Sequence, residues 1–112
     1  MAAAQVYGTA ANTVNVTQAT SRTTGVTINS PVGTITLFNA AGSATPASFT
    51  VTNSFVALAD TIEISVQFGT NTYQALVTQT ALGSFQVTFS ALVGIAADSA
   101  IFNFAVTKCA IV

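Results

Sequence analysis

Five side chains in this 112-residue chain carry a formal charge: Arg22, Asp60, Glu63, Asp98 and Lys108. Its three carboxylates are the residues that could run paired-carboxylate hydrolysis, which needs two of them facing one cleft with separated pKa values. Asp60 and Asp98 each stand just before a strand-like stretch, where Asp commonly caps a turn through its backbone. A structural role is therefore the expected one. No Asp-x-Asp spacing supports a calcium site built from oxygen ligands. The chain has no histidine, which removes Ser-His and Cys-His nucleophilic catalysis and imidazole metal ligation. The single cysteine, Cys109, has no internal disulfide partner and no neighbouring base, and reads as a small hydrophobe near the end of a strand. No glycine pattern forms a G-x-G-x-x-G or Walker loop. The expectation is a protein with no catalytic residues, no metal and no cofactor.

The elements that must hold these few charges are strands. From Thr61 to Phe68, apolar Ile62, Ile64, Val66 and Phe68 alternate with polar Thr61, Glu63, Ser65 and Gln67, the period of a strand with one greasy and one wet face. It is expected to be the central strand. Similar alternation marks Val14–Val16, Val26–Ile28, Ile35–Leu37, Phe49–Val51, Tyr73–Val77, Phe85–Phe89 and Phe102–Val106. Gly69-Thr70-Asn71 reads as a hairpin-type turn, and Ser30-Pro31 as a strand end because proline cannot donate to a ladder. Seven to eight short strands without a useful helical period predict an all-β fold. The first choice is a single antiparallel β-sandwich with jelly-roll or other Greek-key connections, and the second an immunoglobulin-like order. Residues 1–12 are small and aperiodic and read as an N-terminal arm before the sandwich of 13–112.

Composition bounds the partners. Charged residues are 4% of the chain, hydrophobic residues 51%, and the net charge is -1. Nucleic acid is excluded, because counterion release needs several Lys or Arg on one face. The longest apolar run, Ala91–Ala97, is seven residues, far below the ~18 needed to span a bilayer. No membrane partner or secretory signal is expected, and synthesis in a reducing cytoplasm fits the cysteine count. A folded chain of 11.3 kDa exposes about 5,700 Å², leaving about one charge per 1,100 Å², whereas a standard interface takes about 800 Å² from each partner. Soluble monomers keep their surfaces far more charged. Much of this surface is therefore expected to be covered by other subunits, in a homo-oligomer such as a dimer or trimer.

Two connections are unusually apolar for loops: Phe55-Val-Ala-Leu58 and Leu92-Val-Gly-Ile95. Loops run over the surface and are normally polar, so these side chains either meet a partner or fold back to plug the core. A weak half-repeat pairs Phe49-Thr-Val-Thr-Asn-Ser, leading to Asp60, with Phe85-Gln-Val-Thr-Phe-Ser, leading to Asp98. On that basis both connections are expected at one end of the sandwich. The candidate interface residues are Val6 and Tyr7 of the arm with Phe55, Leu58, Leu92, Val93 and Ile95.

Five strings carry a resemblance: Val16-Thr-Gln-Ala-Thr-Ser-Arg-Thr-Thr-Gly-Val-Thr-Ile-Asn29, Gly33-Thr-Ile-Thr36, Ser48-Phe-Thr-Val-Thr-Asn-Ser54, Gly83-Ser-Phe-Gln-Val-Thr88 and Phe102-Asn-Phe-Ala-Val-Thr-Lys108. As a set they resemble a small β module of tailed-bacteriophage and prophage virion proteins, over about residues 14–108. Members often carry a lysine soon after the asparagine ending the second strand, where this chain has Ser30-Pro31. The resemblance implies a virion component and no catalytic residue. Two roles are expected from it. One is a capsid decoration or cement protein bound to the major capsid protein or other virion subunits; the other is a fibre or adhesion module that binds a host surface or glycan. With no tryptophan and only Tyr7 and Tyr73, decoration is favoured. The expected location is the virion.

Overall fold

The computed structural model describes residues 14–108. The expected arm, with Val6 and Tyr7, and also Cys109 lie outside the described residues. Among the described residues the chain forms ten strands: β1 (Asn15–Thr17), β2 (Val26–Thr27), β3 (Val32–Thr36), β4 (Ala40–Ala41), β5 (Ala47–Thr52), β6 (Thr61–Phe68), β7 (Thr72–Ala81), β8 (Ser84–Val93), β9 (Ala97–Asp98) and β10 (Ile101–Thr107). They build one four-stranded sheet of order β1-β3-β10-β6, a second of order β2-β5-β8-β7, and a two-stranded β4-β9 ribbon.

The pairings nest as in a hairpin folded back on itself. The β7–β8 hairpin turns through Leu82-Gly83 with Ala81 opposite Ser84, and Gly83 supplies the positive φ of 84° that other residues adopt only at a cost. Outside it, β5 pairs antiparallel with β8, β4 with β9, and β3 with β10. The β3-β4-β5 arm therefore runs beside β10-β9-β8 from one sheet into the other. This is the jelly-roll type of connection.

Three expectations are corrected here. Thr61–Phe68 is an edge strand, and the central positions belong to β3 and β10 in its own sheet and to β5 and β8 in the other. Alternation reports which face is buried, not how many neighbours a strand has, so β6 and β10 look alike in sequence. The sandwich is not wholly antiparallel, because β1 runs parallel to β3 and β2 parallel to β5. The chain visits the second sheet between β1 and β3, and so returns to the first sheet in its original direction. Lastly, Gly69-Thr70-Asn71 is not a ladder hairpin: it joins β6 in one sheet to β7 in the other.

The inward residues of the two sheets meet in one core. Ile35, Val51, Val87, Phe102 and Val106 are fully buried with Phe49, Phe85, Phe89 and Phe104 beside them. Rings bridge the layers: Phe89 meets Phe102 at 5.6 Å and Phe85 meets Phe104 at 5.4 Å between centroids. Their tilted and edge-on packing is the favourable arrangement of ring quadrupoles. The outer face of the second sheet is neutral and, Leu76 apart, mostly polar, with Thr88 hydroxyl-bonded to Ser48 and Thr78, each at 2.8 Å.

Candidate functional site

Polar chemistry concentrates at the two ends of the sandwich, and each end is built on one buried aspartate. Asp98 closes the end where β7 starts and β8 finishes. Its Oδ2 accepts the backbone N–H groups of Thr70 at 2.8 Å and Asn71 at 3.2 Å, pinning the corner between β6 and β7. Its Oδ1 accepts from Arg22 Nη2 at 2.8 Å and from the Tyr73 hydroxyl at 2.5 Å. Arg22 in turn donates from Nη1 to the Tyr73 hydroxyl, from Nε to the Phe38 carbonyl, and from Nη2 to the Asp98 carbonyl. The guanidinium also stands 5.7 Å from the Tyr73 ring centroid, within cation–π range.

Burial pushes the Asp98 carboxyl up, and it is the largest single influence. Hydrogen bonds from Tyr73, Arg22 and the Asn71 and Thr70 amides together outweigh it and hold the carboxyl below its ordinary value. Asn71 completes this end by spanning to Ala96, donating to its carbonyl at 2.7 Å and accepting its N–H at 3.1 Å. Gly94 has φ 104°, and a Cβ there would stand 2.3 Å from Asn71 Oδ1. Only glycine fits that place.

Asp60 closes the opposite end, where β5 finishes and β10 runs out. Its Oδ2 accepts the Ala57 N–H at 2.9 Å and pairs with Lys108 Nζ at 2.5 Å. Lys108 also donates to the Phe55 carbonyl. Buried Asn53 bonds the Ser30 carbonyl at 2.7 Å and the Phe55 N–H at 2.9 Å. The capping expected of the aspartates is thus local for Asp60, whereas Asp98 caps a corner 27 and 28 residues away. Among the described residues no group of three His, Cys, Asp or Glu side chains could hold a metal.

Of the predicted interface residues, Phe55 and Leu58 are exposed in the β5–β6 connection, while Val56 between them is buried in the core. That connection divides its apolar residues between surface and plug. Leu92 and Val93 end β8, Ile95 lies just beyond it, and all three are exposed. The two connections do not share an end, contrary to expectation. Backbone bonds tie the first to Gly83 and the second, through Ala96, to Gly42. The half-repeat units β5 and β8 are antiparallel neighbours with Val51 opposite Phe85, so the connections at their C-terminal ends must leave in opposite directions.

The structure adds apolar residues absent from the expected interface. Leu82 at the hairpin tip is 83% exposed, and Phe68 and Leu76 are also open. Leu82 belongs to no alternating run, though a leucine before a turn glycine is a visible signal. A groove of about 260 Å³ lies beside Arg22 and Tyr73, lined further by Ala41, Ser43, Thr45, Pro46, Ala47 and Phe89. In sequence Arg22 is only a lone charge in a polar connection. The molecule thus has two mostly polar faces, with Leu76 open on one of them, and two apolar ends: Phe55, Leu58 and Leu82 at one, Phe68, Leu92, Val93 and Ile95 at the other. No family model, curated protein or solved structure matches the chain.

Proposed function

We propose that this chain is a structural subunit of a phage virion, a decoration protein that binds the outside of the capsid shell and strengthens it. The observation that carries the reading is the surface: four of the five charged groups are consumed in the Arg22–Asp98 and Lys108–Asp60 pairs, while large apolar side chains stand open at both ends. Among the described residues Glu63 is the charged side chain outside those pairs. Such a surface is poorly suited to a free monomer and well suited to lying between neighbours. The resemblance of residues 14–108 to phage virion modules supports shell subunits as those neighbours.

The role assigned to the chain is mechanical and non-enzymatic. A body of 46 × 27 × 23 Å with an apolar patch at each end can reach across a junction between shell subunits and bury both patches. Each large side chain buried on binding contributes about 1.5–3 kcal/mol, equal to roughly tenfold to a hundredfold in affinity. Phe55→Asp and Ile95→Asp test this at opposite ends, using shells assembled from the accompanying major capsid protein. Both residues are exposed, so the isolated variants should melt like the parent while co-sedimenting with shells much less. A parent chain that stays in the supernatant, or variants that bind shells undiminished, would refute the assignment.

A further inference from the structure

We infer that copies of this chain associate head to tail, with Leu82 at the tip of the β7–β8 hairpin of one copy seated in the groove beside Arg22 of the next. The hairpin that carries the knob also contributes two residues to the groove's lining. The groove includes Tyr73 at the start of β7 and Phe89 on β8, and Leu82 comes directly after the last residue of β7. Nine residue steps lead from Tyr73 to Leu82, a distance of roughly 30 Å along the axis. The two features therefore lie toward opposite ends of one elongated body.

The fit is argued from size, polarity and charge. An apolar cavity of about 150 Å³ takes a molecule as large as benzene, so the 260 Å³ groove has room for a leucine side chain and part of its turn. Ala41, Pro46, Ala47 and Phe89 supply its apolar lining. At its edge, Arg22 engages four of its five N–H groups within the chain, one from Nε, one from Nη1 and two from Nη2. The chain's own acceptors therefore hold Arg22 in place as a fixed wall of the groove. The Arg22 charge is already balanced by Asp98, so an uncharged leucine tip meets no opposing field.

Seating the tip also brings the two apolar ends together. Leu82, Phe55 and Leu58 on one side and Phe68, Leu92, Val93 and Ile95 on the other are all exposed, from 47% at Phe55 to 83% at Leu82. Three and four such side chains are few beside the roughly 20–30 residues that each partner gives to a standard interface. The contact is accordingly weak and concentration-dependent. Because a knob meets a groove elsewhere on the molecule, it is heterologous: it does not close at a dimer and gives a ring or an open row. Shell binding would compete for these ends, so the contact is a property of the free protein and stands or falls separately from the decoration role.

The test is sedimentation equilibrium without shells over a wide concentration range. The parent chain should pass beyond dimer mass as concentration rises. Leu82→Asp removes the knob, and Ala41→Trp fills the groove, with Thr45→Trp as a second groove-filling variant should the first not melt like the parent. Each alone should associate at least tenfold more weakly. An equimolar mixture of a knob variant and a groove variant keeps one intact knob and one intact groove, and should stop at a one-to-one dimer. A parent that remains monomeric throughout, a Leu82→Asp variant that associates like the parent, or a mixture that forms no dimer would each overturn the inference.

Discussion

At one end of the sandwich Arg22 is 10% exposed and at the other Lys108 is 51% exposed, yet each faces an aspartate whose side chain is 2% exposed. The same pairing of one cation with one buried carboxylate is thus made in two different media. Around Asp98 the partners are a planar guanidinium, a phenol and two backbone amides, all fixed by packing. Around Asp60 the cation is a flexible ammonium that water reaches from one side. A guanidinium holds several acceptors in a rigid fork, while an ammonium is a hydrated point charge on a soft stem. The Arg22 end is a clamp that fixes the corner between sheets, and the Lys108 end is a latch over a capped turn.

The comparison is broken most severely by Arg22→Met. It leaves Asp98 buried without its cation, and losing one partner of a buried pair costs about 3–5 kcal/mol. Chemical denaturation should show that loss in the midpoint, and a change below about 1 kcal/mol would mean that the clamp is no stronger than a surface pair. Tyr73→Phe is the next test. It removes a hydroxyl that donates to Asp98 and accepts from Arg22 and Asn71, and hydrogen bonds to charged groups contribute about 1.5–3 kcal/mol. Its ring remains to pack on Phe102, so the core itself should survive, as near-ultraviolet circular dichroism would confirm.

Acid sharpens the contrast further. The Asp98 carboxyl is held below its ordinary value in the folded chain, so the folded state favours its charged form. Its contribution is fully present above the unfolded value of about 3.9 and is lost as pH falls from there through the lower folded value. Melting temperature should decline over that acid range, and less steeply in Asp98→Asn. Equal acid slopes for parent and variant would remove Asp98 from the account. A smaller loss than that of Arg22→Met is expected from Lys108→Met, because the half-exposed ammonium is screened by water and Asp60 keeps the Ala57 amide. A loss as large as that of Arg22→Met would erase the distinction between clamp and latch.

The edge strands β6 and β7 differ in a related way. β6 carries exposed Glu63, a charge of the kind that discourages edge-to-edge pairing. β7 carries no charge, and its ladder to β8 is interrupted between Val77 and Gln79. The ladder of β6 to β10 also shifts register, between Ile101 and Phe102, so both edges have an irregularity of the kind that twists an edge away from a flat partner, and Glu63 adds a charge to β6 alone.

Strand faces were legible in the sequence because side-chain alternation is a local property of an extended backbone. Phe85, Val87 and Phe89, or Phe102, Phe104 and Val106, point inward wherever their strands are placed. The turn at Gly83 was equally local. Tertiary structure decided what local pattern leaves degenerate. Short strands of Thr, Val and Phe can pair with one another in many orders, and only the packing of the whole chain put β10 in the centre and β6 at the edge. It also sent the Phe55 and Leu92 connections to opposite ends, since antiparallel neighbours leave a sheet in opposite directions. Arg22 and Asp98, 76 residues apart, carried no signal of their meeting, because a long-range ion pair has no period and is fixed only when both sheets close over it.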